Sequence, residues 1–401
     1  MLCVASLVAL FAALEVATRL FSRVTPPLLC NDPKVGTTFI PEFSGRVYVP
    51  EGKREVFLHF NSEGMRGGDV PHAKPPGVRR VAVIGDSMIA AIATDEEQTL
   101  VRRLEERLNN AATGTTYEVL NFGMSGSSTG QELVLYRQVV RNYQPDVVVC
   151  AFCVMNDLGD NCTRLTSNRG RIYFDLDAED HLVELPFCAT RAKLTSWLNR
   201  HSRFYVWQKG AVQYAINSLR RKAEALAASA GRENNPFDSG GQGIYCSEPD
   251  ETLAYAWRVT AKLIETMHAE VEADGARFVL AVLPTGAQVC DDAWADEFGA
   301  GANTSTAEST AASSGAPLDK YYPDRRLREI CDRIGAQTVL MTDRFREAAP
   351  HHSLDYPDEW LYYDGFGHFN DRGNDVAAAV LFEALINVET APADKDQAGD
   401  E

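Results

Sequence analysis

The chain has 401 residues, 45% of them hydrophobic, which is enough to bury a sizeable core and longer than a usual single domain. Its 56 acidic residues against 39 basic ones give a net charge of -17, which argues against a sequence-independent grip on phosphate backbones, so nucleic acid is not an expected partner. One domain with insertions is the expected organisation.

Residues 1–22 are apolar from Leu2 to Leu14 with Ser6 as the polar interruption, and Glu15 and Arg19 follow one helical turn apart. This segment reads as a helix serving as a signal or a membrane anchor, which implies an exported or membrane-anchored protein facing the extracytoplasmic side. An amphipathic docking helix is the alternative. Arg19 and Arg23 on its C-terminal flank run against export by the positive-inside tendency. Residues 23–79 form an N-terminal extension. It contains Asn61, Gly64 and Arg66 in the run NSEGMRG, read as a turn with a surface arginine.

The run Arg80 to Gly85 is a short β-branched strand, followed by a polar turn and a helical pattern from Glu97 to Leu108. The unit recurs with a strand at Tyr117–Phe122, a glycine-rich turn, a helix near Gln131–Tyr143 and a strand within Asp146–Met155. Leu158 to Asp250 interrupts the alternation with an amphipathic stretch near Leu194–Ala227, and reads as a cap or lid. A helix over Glu251–Ala273, a strand at Ala276–Leu283, a helix near Asp324–Ile334, a strand at Gln337–Met341 and a helix near Asn374–Ile386 complete the pattern. Strands apolar on both faces that alternate with helices predict a three-layer α/β/α sandwich on a five-stranded parallel sheet of the flavodoxin-like kind, with a largely helical insertion. The domain spans 80–388 with its insertion at 158–250. Residues 299–317 are small and polar and read as a surface loop, and 389–401 as an acidic disordered tail.

Nine cysteines leave the redox compartment open. Cys30, Cys162, Cys188, Cys246 and Cys290 fall in loop-like surroundings where disulfides are conceivable, and their pairing is not legible. Cys150 and Cys153 lie in a β pattern that sends them to opposite faces, and read as small buried residues.

Ligands gather at the carboxyl ends of parallel strands. Here those ends carry Gly85-Asp86-Ser87, then Asn121 to Gly126, then Asn156-Asp157, and finally Asp364-Gly365-Phe366-Gly367-His368. A hydroxyl, glycine-rich backbone donors, a carboxamide, a carboxylate and an imidazole on one edge are an inventory for acyl transfer. The four blocks in this order resemble the SGNH, or GDSL-like, hydrolase family over about Arg79 to Ile386. The resemblance implies Ser87 as nucleophile, His368 as base and Asp364 as the carboxylate that orients it. It implies oxyanion donors at the backbone N–H of Ser87, the backbone N–H of Gly126 and the side-chain amide of Asn156. Two positions depart from the family pattern. Asp364 stands four residues before the histidine where three is usual, and Val154 replaces a glycine two residues before Asn156.

These residue types suit the chemistry. An imidazole takes the proton of a serine that attacks and returns it to the leaving group, while fixed N–H donors stabilise the tetrahedral oxyanion. A rival serine, Ser128, lies in Gly126-Ser127-Ser128-Thr129-Gly130, which satisfies the G-x-S-x-G elbow pattern. That reading leaves G-D-S and Asn156-Asp157 unexplained. His351 and His352 are adjacent loop residues without further ligands nearby in sequence, so neither a metal nor another cofactor is expected.

The expected activity is a serine hydrolase of carboxylic esters, with short acyl groups such as acetyl, by way of an acyl-enzyme. The expected partner is an ester-bearing small molecule or an acylated carbohydrate. An O-acyltransferase of an extracytoplasmic polysaccharide and a non-catalytic binding module on the same fold are the alternatives.

Overall fold

The computed structural model describes residues 2–21, 28–111, 114–166, 170–187, 194–195, 197–199, 201–229, 242–298, 317–349, 359–363 and 367–389. The loop at 299–316, the tail from 390, His351, His352 and Asp364 lie outside the described residues.

In chain order the elements used below are α1 (Leu2–Phe21), β1 (Leu29–Asp32), β2 (Gly36–Phe39), β3 (Ser44–Val49), β4 (Arg54–His59), β5 (Val78–Gly85), α2 (Ser87–Ala90), α3 (Leu100–Asn110), β6 (Thr116–Gly123), α4 (Thr129–Gln138), β7 (Val147–Cys153) and α5 (Asp157–Asp160). There follow β8 (Phe174–Leu176), β9 (Leu182–Glu184), α6 (Arg203–Ser229), α7 (Glu251–Ala273), β10 (Arg277–Leu283), α8 (Gly286–Val289), α9 (Asp291–Phe298), α10 (Tyr322–Ile334), β11 (Gln337–Leu340), α11 (Thr342–Ala348) and α12 (Asp371–Glu389).

β5, β6, β7, β10 and β11 form the five-stranded sheet in the order β11-β10-β7-β5-β6, and every neighbouring pair is parallel. The alternation of side chains along these strands splits the core in two. Ala82, Ile84, Phe122, Val148, Cys150, Phe152, Leu280 and Val282 pack on one face with side chains of α4, α7 and α10. Val81, Val83, Val119, Val149, Cys153, Ala281 and Val339 pack on the other with α3 and α12. Cys150 and Cys153 therefore do fall on opposite faces, and both are buried. This is the three-layer doubly wound sandwich expected from the strand-helix alternation. The chain turns to opposite sides after β5, leaving a crevice at the carboxyl ends of β5 and β7, where such folds bind ligands.

The N-terminal extension holds two hairpins that the sequence reading did not assign. β1 pairs antiparallel with β2, and β3 with β4. The second shows the alternation of a half-buried ribbon: Val47, Val49, Val56 and Leu58 face the core while Tyr48 and Phe57 stay exposed. The insertion is not wholly helical either, because β8 and β9 make a third hairpin outside the main sheet.

α1 is the helix expected from the apolar leader, but it packs against α6. Glu15 is spent on that contact: it accepts from Ser202 Oγ at 2.8 Å and from the N–H groups of Arg203 and Phe204 at 2.9 and 3.0 Å, and so caps the start of α6. Burial would raise the Glu15 carboxyl, yet these donors hold it down at about 2. Among the described residues no helix is long and apolar enough to cross a membrane, and a charged cap to a second helix suits a packed pair. Among the described residues, Cys150, Cys153, Cys162, Cys246, Cys290 and Cys331 are free thiols.

Candidate active site

Ser87 opens the four-residue helix α2 directly after β5. Asp86 caps that helix by accepting from Met88 N at 2.9 Å. Gly85 and Gly123 are required by close approach: a Cβ on Gly85 would come within 2.4 Å of Ile89, and one on Gly123 within 2.2 Å of Ala90 N. The two strand ends thus close tightly around α2 and hold the serine at the sheet edge.

Arg66 supports the same turn from behind. It is 4% exposed, not the surface residue expected, and its guanidinium donates to the carbonyls of Ala90 (2.7 Å), Ala91 and Thr94. Ala91 is a left-handed helix end with φ 45°, so its carbonyl and those beside it lack helical partners. The rest of the NSEGMRG run shapes the arginine's approach. Asn61 Oδ1 accepts from Glu63 N and Met65 N at 3.0 and 2.8 Å, and Gly64 has φ +78° with Phe39 O 2.6 Å from where a Cβ would stand. Burial brings the Arg66 guanidinium down to about 10.

His368 Nε2 lies 2.7 Å from Ser87 Oγ. On the other side of the ring, Nδ1 is 2.6 Å and 2.8 Å from the two carboxylate oxygens of Glu51, and the His368 N–H also reaches Glu51 Oε1 at 3.1 Å. Burial alone would raise the Glu51 carboxyl. The hydrogen bonds and charge of His368 outweigh it and keep it below the ordinary carboxylate value. Glu51 belongs to the tip of the β3–β4 hairpin, a turn over Pro50 to Lys53 closed by Lys53 N to Pro50 O at 3.2 Å. Arg54 fastens this tip. Its fork meets both oxygens of Asp371 at 3.0 and 3.1 Å, and its Nε donates to Ala93 O at 3.1 Å.

Sequence reasoning missed Glu51. In the structure, Gly367 leaves room for it: a Cβ there would sit 3.1 Å from Glu51 Oε1.

Of the expected oxyanion donors, Gly126 has φ +77° and is exposed at the sheet edge, in a turn where Ser127 N donates to Met124 O at 3.0 Å. Asn156 follows β7 and its Nδ2 donates to Asp160 Oδ2 at 3.0 Å. The structure thus brings Ser87, His368, Gly126 and Asn156 to the carboxyl ends of the strands as expected. Ser128 is elsewhere in role: it is 1% exposed and caps α4 by accepting from Gln131 N at 3.4 Å.

Behind the strand ends lies a cluster of fully buried acids. Glu132 accepts from Ser127 Oγ at 3.0 Å, and Asp157 Oδ2 accepts from Cys153 N at 2.7 Å. Burial, reinforced by the neighbouring carboxyl of Asp86, pushes Glu132 up to about 8; burial raises Asp157 and Asp86 as well. Among the described residues no three His, Cys, Asp or Glu side chains are grouped to hold a metal ion.

Strand order and site have the form that the SGNH resemblance implies: a doubly wound sheet with serine, glycine, asparagine and histidine blocks at its carboxyl edge. No family model matches the chain, and no curated protein does. Solved structures align with it at low similarity. An acetyl xylan esterase, AlAXEase, is 13% identical over 76% of this chain and 99% of that one, with a TM-score of 0.39. A mutant acetyl-xylooligosaccharide esterase from Geobacillus Stearmophilus is 12% identical over 77% and 94%, with a TM-score of 0.39. A lipase/acylhydrolase from Enterococcus faecalis is 13% identical over 77% and 96%, with a TM-score of 0.38.

Proposed function

We propose that the protein is an SGNH-type serine hydrolase of carboxylic esters carrying short acyl groups. Ser87 is the nucleophile, His368 the base and Glu51 the carboxylate that orients it. The observation that carries this reading is the continuous line of contacts from Glu51 to His368 Nδ1 and from His368 Nε2 to Ser87 Oγ. Ser87 Oγ attacks the acyl carbon while its proton passes to His368 Nε2. The oxyanion is received by the N–H groups of Ser87 and Gly126 and by the Asn156 amide. Collapse breaks the bond to the alcohol oxygen, which takes the proton from His368. Water then attacks the acyl-serine with His368 again as base, releasing the carboxylic acid and Ser87.

The substrate class in this reading is an ester-bearing small molecule or an acylated carbohydrate. A location outside the cytoplasm belongs to the same proposal and is supported by the apolar run of α1; fractionation of cells expressing the full chain checks it. The activity is tested with a fluorophosphonate probe and peptide mapping, together with turnover of p-nitrophenyl acetate. Probe on Ser87 and acetate release are expected. A folded protein that neither labels nor turns over sinks the reading. An acetylated sugar that forms only when an oligosaccharide is added would redirect it to acyl transfer.

A further inference from the structure

Arg171 lies in the insertion between α5 and β8, with only 7% of its side chain exposed. Its Nε and Nη2 donate to Gly126 O at 3.1 and 2.8 Å. The same guanidinium meets Asp160, Nη1 to Oδ1 at 2.6 Å and Nη2 to Oδ2 at 2.9 Å. Asp160 Oδ2 is also the acceptor for Asn156 Nδ2 at 3.0 Å. One rigid planar cation therefore ties the backbone that carries one oxyanion donor to the carboxylate that holds the other.

The geometry points to Arg171, acting with Asp160, as the positioning residue of the oxyanion hole. This rests on the proposed serine hydrolase reading. The two N–H bonds of a carboxamide lie in one plane about 120° apart, so fixing one on Asp160 fixes the direction of the other. Gly126 has φ +77°, a conformation from which a glycine can relax at little cost, and anchoring its carbonyl removes that freedom. Val154 stands where the family pattern has a glycine before Asn156, and the Asp160 contact supplies an aim for the amide that the local turn does not have to provide. The role needs a fork, because a lysine ammonium is a point charge that cannot hold a carbonyl and both oxygens of a carboxylate in fixed directions.

The test measures kcat and KM on p-nitrophenyl acetate and the rate of fluorophosphonate labelling in Arg171→Met, Arg171→Lys, Asp160→Asn and Asn156→Ala, alone and combined. Removing an oxyanion donor costs about 10²- to 10³-fold, and misaiming one costs less, so Arg171→Met is expected to lower kcat by ~30-fold with KM within about twofold. Arg171→Lys should fall between that variant and wild type. In an Asn156→Ala background the same Arg171→Met change should cost only ~5-fold, because one of the two donors it aims is already gone. Equal losses in both backgrounds, or a loss that follows the melting temperature, would mean a structural role and overturn the inference. If Arg171→Met does not fold, Arg171→Lys and Asp160→Asn carry the same comparison. Normal kcat in these variants alongside labelled Ser87 overturns the inference alone, whereas a wild type without labelling or turnover overturns it together with the functional reading.

Discussion

His368 Nδ1 stands 2.6 Å from Oε1 of Glu51, a residue 317 positions earlier in the chain. The carboxylate that faces the base therefore comes from a hairpin tip in the N-terminal extension, while Asp364, expected in that role, lies outside the described residues. Glu51→Gln is expected to keep the fold and lower kcat on a small acetyl ester by about 10³- to 10⁴-fold, since the amide can no longer stabilise the imidazolium or fix its tautomer. Asp364→Asn, measured beside it, tells whether Asp364 or Glu51 carries the larger share of that role. A larger loss in the Asp364 variant would return the role to Asp364.

Gly367→Ala offers a milder probe of the same contact. The added methyl would lie 3.1 Å from Glu51 Oε1 and 3.3 Å from the carbonyl of Tyr363, so carboxylate and ring must shift by a few tenths of an ångström. A fall in kcat of ~10-fold with little change in melting temperature is expected, because small misplacements in a catalytic line cost rate before they cost stability. Unchanged turnover would show that this approach is not critical.

The two candidate serines separate cleanly. Ser87→Ala should abolish probe labelling. Ser128→Ala should keep it and lose about 1 kcal/mol of stability, the usual cost of removing a helix cap. Loss of labelling in the Ser128 variant with Ser87 still reactive to mapping would overturn the assignment.

Glu132 makes stability depend on pH in a definite direction. Its ordinary value of 4.5 is raised to about 8 by burial and by Asp86, with Ser127, Cys150 and Arg171 opposing or adjoining it. Between these values the folded chain holds a proton that the unfolded chain has released, so this group's contribution falls as pH rises. Glutamine imitates the protonated acid. The melting-temperature advantage of Glu132→Gln over wild type should therefore grow from about pH 5 to about pH 8, with the neighbouring Asp86 and Asp157 relieved of its charge in the same direction. An advantage independent of pH would place the titration elsewhere.

The parallel sheet was legible because each strand is a continuous apolar run between helix patterns; Ser87, Gly126 and Asn156 follow strand ends in order, whereas His368 stands ahead of α12, well after β11, and was singled out by the family resemblance. Glu51 was not, since its partner is fixed by tertiary approach and a Pro-Glu-Gly-Lys turn looks like any other. The alternation around it, with Val47 and Val49 answering Val56 and Leu58, does carry the signature of a hairpin. Arg66 was misplaced for a related reason: an arginine after a glycine turn reads as solvated unless the carbonyls of α2 that it serves are known to be there. α1 reads as an apolar leader, and nothing in that run told that Glu15 would cap the start of α6.

The distance in sequence between Glu51 and His368 also orders events on the ribosome. The hairpin, Ser87 and all five sheet strands emerge before the imidazole does, and domains fold largely as their segments become available. A nascent chain can thus shape the turn of Ser87 and still lack the imidazole of the proposed triad. The base joins Glu51 only when the segment ahead of α12 is synthesised and Asp371, the first residue of that helix, meets Arg54. In the proposed reading, the line from Glu51 through His368 to Ser87 is complete only once α12 closes on the hairpin of the first third of the sequence.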